Sequence, residues 1–498
     1  MKIVVAASEA VPFAKTGGLA DAISALSKAL ADAGHEVALI LPHYPQAVAA
    51  NHGHVPPIEP TDCALSISVG PRQVLGRVLR SKLPDSRVEV FLIDQPGYYD
   101  RPALYHDGQI DYRDNCERFV FFSRAVLETM RLLPWQADVV HAHDWQTGLI
   151  PAALSVEYQK MPGFERCASL FTVHNLAFQG QFWHWDMVLT GLDWKYFNWH
   201  QMEFFGNLNL LKTGIVFANG ITTVSPTYAL EAQTPEWGCG LHGVLRARSH
   251  DLTGILNGID TTIWNPATDR NLAQNYTSAN VTKGKAECKQ ALQKRLGLPV
   301  RPEIPLAAMI SRLTEQKGLE LILARAERLL ERDIQMVFLG TGGAWYVSAL
   351  QDLARRHPDK VHATIGYDER LAHQIEAAAD LYLMPSRFEP CGLNQMYSLM
   401  YGTVPIVRNT GGLADTVIDA TPETLANRTA TGFKFNDYDS MAFEQAFERA
   451  LSLYVDRTAW LHLMQSGMRT DWSWRRSAQQ YLSAYERALS RVANRSTV

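Results

Sequence analysis

Arg312 and Lys317 stand five residues apart in Ser311-Arg312-Leu313-Thr314-Glu315-Gln316-Lys317-Gly318. A forked guanidinium and a compact ammonium, set around one loop, can clamp a diphosphate from two sides. The same pair would stabilise the charge that gathers on a departing nucleotide diphosphate. The plain alternative is a solvated loop with a lysine at a helix start. Downstream, Arg387-Phe388-Glu389-Pro390-Cys391-Gly392-Leu393 presents Glu389 just before another helix start. A carboxylate there can accept from sugar hydroxyls or balance positive charge developing on a sugar ring. Cys391 has no histidine near it in sequence and reads as a packed small residue rather than a nucleophile.

The hexapeptide Thr-Gly-Gly-Leu-Ala-Asp occurs twice, as Thr16–Asp21 and Thr410–Asp415. Each copy follows an apolar, strand-like run and precedes a helix-like stretch. A Gly-Gly turn lets backbone approach a ligand closely, and the helix start beyond it offers unpaired N–H groups suited to phosphate or sugar oxygens. Lys15 precedes the first copy as an anion counter-charge, and Asp21 either serves the site or complements the helix dipole. One such turn in each half suggests a ligand held in a cleft between two similar domains. Neither G-x-G-x-x-G nor a Walker loop follows a strand, so the usual nucleotide fingerprints are missing.

His141-Ala142-His143-Asp144-Trp145 and Thr172-Val173-His174-Asn175 each end a strand-like run. His141 and His143 fall on one strand face, formally compatible with metal ligation, but a third ligand at clear spacing is lacking. Hydrogen bonding of substrate by His174 and Asp144 is the better reading. Asp437-Tyr438-Asp439 is a D-x-D of the kind that can hold a metal, yet it precedes Ser440 and a helical run, so helix capping is expected.

Elements that would position these residues alternate strand and helix, the pattern of parallel α/β layers. Strands are predicted over Lys2–Ala7, Glu36–Leu41, Val88–Asp94, Asp138–His143, Ser169–His174 and Gly220–Ser225. A second series runs through Pro305–Arg312, Gln335–Gly340, Val361–Gly366, Asp380–Pro385, Val404–Arg408 and Gly432–Phe435. Leu319–Glu331 reads as one amphipathic helix, Lys283–Gly297 as a charged surface helix, and Arg475–Arg487 as a last amphipathic helix packing back on the first domain. The economical architecture is two doubly wound domains, 1–253 and 254–471, with the tail from about 472 returning to the first. Ligands belong at the carboxyl ends of the strands.

At 498 residues the chain is too long for one ordinary core. Its net charge of −4 gives no pull toward nucleic acid or anionic membrane. The six cysteines are scattered without a C-x-x-C pair, which fits a reducing cytoplasm better than a disulfide framework or a zinc site. The apolar run Ile3–Ala7 stops at Ser8-Glu9 and suits a first strand better than a signal peptide. No stretch of 18 apolar residues suggests a membrane span.

Taken together, Lys15–Leu19, His141–Trp145, Thr172–Asn175, Gln179-Gly180, Ser225–Tyr228, Asn257–Asp260, Ser311–Gly318, Pro385–Leu393 and Thr410–Asp415 resemble one family, the bacterial glycogen synthases and plant starch synthases. The resemblance runs essentially end to end. It implies the two-domain GT-B fold and glucose transfer from ADP-glucose to the non-reducing end of an α-1,4-glucan, with retention of configuration and without a metal or other cofactor. It implies Arg312 and Lys317 as stabilisers of leaving ADP, Glu389 as the essential carboxylate near the glucose ring, and His174 at the reacting carbon. Asp21 and Asp144 become active-site acids. Lys15 and Gly18 would lie at the donor phosphates, Cys391, Gly392 and Leu393 on the donor side, and Asn257 at the sugar. Thr410, Gly411 and Gly412 would meet the distal phosphate and glucose hydroxyls, and Tyr99 would line the acceptor groove. Many retaining GT-B enzymes carry a second glutamate eight residues after the first; here that position is Tyr397, as in this family.

With no obvious nucleophile on the far face of the sugar, front-side attack is plausible, and double displacement through Glu389 is the other route. UDP-glucose as donor, another acceptor, or a silent glucan-binding scaffold are the competing readings. A phosphorylase is disfavoured, because no lysine lies in a recognisable pyridoxal phosphate context.

Overall fold

The computed structural model describes residues 1–51, 54–108 and 110–495 and divides the chain into two compact units. Unit 1 is Met1–Gly258 together with the segment from Trp474 onward, and unit 2 is Ile259–Ser473. The boundary falls a few residues later than 253/254. The short strand Leu252–Gly254 pairs in parallel with Gly220–Thr223, and the Ile255 amide donates to the Thr223 carbonyl, so both stay with the first sheet.

In unit 1 the strands are β1 (Lys2–Ala6), β2 (Glu36–Pro42), β3 (Glu59–Val69), β4 (Arg72–Lys82), β5 (Glu89–Asp94), β6 (Val139–His143), β7 (Ala168–Val173), β8 (Gln181–Phe182), β9 (Glu203–Phe204), β10 (Asn207–Asn209), β11 (Gly220–Thr223) and β12 (Leu252–Gly254). Nine of them form one sheet, ordered β12-β11-β7-β6-β1-β2-β5-β4-β3. Its centre is parallel and buried on both faces, which is why the strands read as near-continuous Val, Ile and Leu runs. The β3–β4 hairpin is antiparallel. Its alternating burial leaves one face wet. The hairpin is absent from the strands expected above, although Leu65, Ile67 and Val69 carry the period-two signal. The chain runs outward from β1 through β2, then returns to β1's other side with β6. That reversal makes a topological switch point, where loops after the two strands splay apart and leave a crevice.

The last helix, Trp474–Arg495, belongs to this unit. Tyr481, Ala484, Tyr485 and Ala488 enter the core with Ile23, Leu26 and Leu30 of the helix Gly18–Asp32.

Unit 2 holds β13 (Leu306–Ile310), β14 (Gln335–Gly340), β15 (Val361–Ile365), β16 (Leu381–Met384), β17 (Val404–Arg408) and β18 (Phe433–Phe435), all parallel in the order β15-β14-β13-β16-β17-β18. Its switch point lies between β13 and β16. Two expectations change here. The stretch Leu319–Glu331 is two short helices, Leu319–Leu323 and Ala326–Leu330, interrupted by a turn at Ala324-Arg325, where Arg325 sits at φ −118° and ψ −2° and its guanidinium reaches Ser440 and Glu444. The helix Val281–Leu296 is not merely a charged surface element. Lys285 is buried, its ammonium donating to the Thr403 hydroxyl at 2.7 Å and the Ala377 carbonyl at 3.0 Å, and burial lowers its pKa to about 8. Lys289 is also buried, paired to Asp380 at 2.6 Å at the head of β16. Asp439 caps Ser440–Tyr454, accepting from the Met441 and Ala442 amides.

Candidate active site

At the unit 2 switch point, the loop after β13 carries Arg312 and Lys317, and the loop after β16 carries Glu389. Lys317 Nζ donates to Glu389 Oε2 at 2.6 Å, with the two side chains only 15% and 8% exposed. Ser386 Oγ donates to the same carboxylate oxygen at 3.0 Å. Gln316 joins the loops, its carbonyl accepting from the Arg387 amide at 2.8 Å and its side-chain amide donating to the Phe388 carbonyl at 3.2 Å. Arg312 is exposed, and its guanidinium makes no hydrogen bond or ion pair among the described residues. An unpaired guanidinium on the loop that also carries a screened Lys–Glu pair suits an incoming polyanion.

The second Thr-Gly-Gly turn braces this arrangement from below. A Cβ on Gly411 would lie 2.0 Å from the Glu389 carbonyl oxygen, and one on Gly412 would lie 2.0 Å from the Cys391 carbonyl oxygen. Gly411 also sits at φ +45°, where a side chain is strained. Gly412's amide donates to the Glu389 carbonyl at 3.0 Å. The N–H of Gly412 is thus committed to the Glu389 loop, and the two glycines admit that loop's backbone. Thr410 is buried as the residue before the helix Gly411–Thr416. Cys391 is also buried. Gly392 (φ +72°) and Leu393 complete the bend into the helix Asn394–Met400, whose Gln395 side-chain amide donates to the Cys391 carbonyl at 3.0 Å. Tyr397 stacks on Trp264, ring centroids 3.9 Å apart. On its other face Trp264 stacks on His373, which is bonded to Asp269 at 2.6 Å.

In unit 1 the crevice between β1 and β6 gathers the first copy and both His segments. Lys15 and Asp21 pair at 2.8 Å near the surface, at the start of Gly18–Asp32. Gly17 is extended, and a Cβ there would meet nothing within 4 Å, so this copy is open where the other is packed. Glu9 holds it: the buried carboxylate accepts from the Thr16 amide, from Thr16 Oγ1 at 2.7 Å and from the Tyr105 hydroxyl at 2.6 Å. In the sequence Ser8-Glu9 stands out only as the end of an apolar run. A carboxylate one turn past the central strand was the available signal.

Asp144 follows β6 at φ +57° and ψ 179°, a conformation that L-residues seldom adopt and that marks stored strain. Its Oδ1 accepts from the His174 amide at 2.7 Å, so it positions the His174 backbone. Desolvation raises its pKa to about 7, with Glu9 adding to the rise and the His174 and Asn175 amides opposing it. His174 Nε2 lies 3.0 Å from His143 Nδ1, and burial lowers its pKa to about 3, leaving a neutral imidazole at physiological pH. His141 is buried against Tyr485 at 2.9 Å and Thr172 at 2.6 Å, so its two ring nitrogens are already engaged. Asn257 is 7% exposed and its side-chain oxygen lacks a protein partner among the described residues, an acceptor that a sugar hydroxyl would satisfy.

Tyr99 is not a groove residue. It is 0% exposed, packed against Tyr44 and Phe121, and its hydroxyl donates to the Arg118 carbonyl at 3.0 Å. Its neighbour Asp100 is exposed, and the aromatic ring proved the better core filler. Among the described residues no three His, Cys, Asp or Glu side chains are grouped to hold a metal, and no helix is long and apolar enough to cross a membrane.

Comparison with known proteins bears on this geometry. The family described as "Starch synthase catalytic domain" matches residues 2–247, and "Glycosyl transferases group 1" matches 293–460. A glycogen synthase of Rhodopirellula baltica is 44% identical over 502 residues, covering 98% of each chain. The chain belongs to the glycogen and starch synthase family. Within it, a glycogen synthase of Anaeromyxobacter dehalogenans is 47% identical over 490 residues, covering 97% of this chain and 98% of that one. The catalytic domain of starch synthase IV from Arabidopsis thaliana, solved bound to ADP and acarbose, superposes with a TM-score of 0.90 at 36% identity over 98% of this chain and 99% of its own. Membership makes the chain a glycosyltransferase with the two-domain α/β GT-B fold and parallel sheets.

Proposed function

We propose that the chain is a glycogen synthase that moves glucose from ADP-glucose to the non-reducing end of an α-1,4-glucan with retention. The observation that carries this reading is the constellation at the unit 2 switch point, Lys317 on Glu389 with Arg312 exposed on the same loop as Lys317. It is supported by the glycogen synthases that the chain resembles along its whole length and by the ADP in the starch synthase IV structure. Arg312 and Lys317 take the diphosphate. Lys317 has three donors, so it can hold a phosphate oxygen while keeping Glu389. The bond from glucose C1 to the β-phosphate oxygen breaks, and those cations stabilise the charge left on ADP. The acceptor 4-hydroxyl bonds to C1 on the same face and its proton passes to the diphosphate, so ADP leaves protonated and the glucan grows by one unit. Glu389 is tied down by Lys317 and Ser386, which suits electrostatic stabilisation of the sugar cation better than nucleophilic attack. His174 serves as a neutral hydrogen-bonding imidazole on a backbone that Asp144 fixes. Lys15 and Gly18 act on the donor phosphates, Asp21 as an active-site acid and Asn257 on the sugar, and the scattered cysteines suit a cytoplasmic setting.

Transfer of radiolabelled glucose into glycogen, with ADP-glucose and UDP-glucose run in parallel, tests the proposal. Incorporation from ADP-glucose is expected. A preference for UDP-glucose overturns the donor, and silence with both overturns the activity.

A further inference from the structure

Unit 2 contains a pocket of about 290 Å³ that shares no residue with the candidate active site, and three arginines line it: Arg270, Arg295 and Arg370. Asn271 and Gln374 add polar surface, Leu272 and Leu292 an apolar floor, and no acidic residue lines it. The volume lies at the lower edge of the roughly 300–1,000 Å³ typical of small-molecule sites.

The electrostatics are lopsided. Arg295 is held by Asp368 at 3.0 Å and by the side-chain oxygen of Gln374. Arg270 and Arg370 are exposed and make no hydrogen bond or ion pair among the described residues. The carboxylate nearest in sequence to Arg270 is Asp269, which is turned inward and accepts from His373 and from the Tyr401 hydroxyl, each at 2.6 Å. Glu369, beside Arg370, is exposed and does not line the pocket. The walls are tied together before any ligand arrives. Gln374, on the helix Glu369–Ala378, donates to the Asn271 carbonyl at 2.8 Å, and the Asn271 amide donates to Asp269 at 2.9 Å. The third wall is the helix Val281–Leu296, which supplies Cys288, Leu292 and Arg295.

Two uncompensated guanidiniums beside a third that is already oriented match a compact dianion better than a single carboxylate, because each can fork two N–H donors onto phosphate oxygens. We propose that this pocket binds a small phosphomonoester. Arg270 and Arg370 close on the phosphate, and Arg295, Asn271 and Gln374 meet the hydroxyl-bearing body.

Calorimetric titration of the full chain with glycerol 3-phosphate, inorganic phosphate and glycerol tests it. Saturable binding of one glycerol 3-phosphate is expected, tighter than phosphate and absent with glycerol. R270A/R370A should weaken it about tenfold or more, a loss of about 1.4 kcal/mol at least. K317A, which removes a cation of the candidate active site, should leave it within about twofold. Both arginines are exposed, and an unchanged melting temperature of the ligand-free variant confirms that it folds. The proposal is overturned by weak, unsaturable binding, or by binding that K317A abolishes and R270A/R370A retains. Equal affinity for phosphate and its ester would overturn the assignment of an ester body.

Discussion

Lys317→Ala separates two roles that one side chain plays. The ammonium sits 2.6 Å from a carboxylate that is 8% exposed, so its removal strands Glu389 with Ser386 as the remaining side-chain donor seen on that oxygen. Breaking a fully buried pair costs about 3–5 kcal/mol; with Lys317 15% exposed, about 2–3 kcal/mol is expected for unit 2. Losing one preorganised charge donor to a leaving group should lower turnover by about 10²–10³, or about 3–4 kcal/mol of barrier. Lys317→Ala/Glu389→Gln distinguishes the terms, since the uncharged amide no longer suffers from isolation. The double variant should regain most of the lost stability and none of the lost turnover. Stability is read by hydrogen exchange on peptides from β13 and β16, because the chain has two units and need not unfold in one step. Turnover is read by glucose transfer from ADP-glucose. Turnover of Lys317→Ala within about threefold of the native value would refute the leaving-group role. A double variant as unstable as the single one would refute the stranded charge.

Asp144→Asn should stabilise unit 1 increasingly as pH rises from about 4 to about 7. The native carboxyl, raised from 3.8 to about 7, keeps a proton that the unfolded chain loses, so ionisation of the unfolded chain lowers stability through that window. A melting-temperature difference equal at both ends contradicts this. His174 works oppositely: with its pKa lowered from 6.5 to about 3, stability falls as pH drops through that range in native and variant alike. Gly411→Ala should cost more than about 2 kcal/mol and about tenfold or more in turnover, because the Glu389 loop must move, whereas Gly17→Ala should stay within about 0.5 kcal/mol. Equal urea midpoints for the two would mean that the repeated turns do the same job. Tyr99→Phe should lose about 1 kcal/mol of stability with KM for glucan unchanged, and a raised KM would return Tyr99 to the acceptor side.

Much of the fold was legible because parallel strands buried on both faces must be apolar throughout, and helices covering them must punctuate them. Twelve strands foreseen from such runs recur at nearly their expected bounds. The loop motifs were equally legible: Arg312, Lys317 and Glu389 follow strands, and a doubly wound sheet puts its ligands there. Chain order does not carry spatial neighbourhood. Only pairing β13 with both β14 and β16 put Lys317 on Glu389, 72 residues away in sequence. Only packing showed that two identical hexapeptides differ, one open over Glu9 and Thr16, the other pressed on the Glu389–Cys391 backbone, because a glycine's neighbours are set by the fold and not by the motif. Tyr99 went inward for the same reason: an aromatic ring gains more from a core than from a rim unless its hydroxyl lacks a partner, and Arg118 supplied one. The sequence determined which residues could do the chemistry; the tertiary structure decided which of them meet, since burial and pairing depend on surfaces that exist only once the chain has folded.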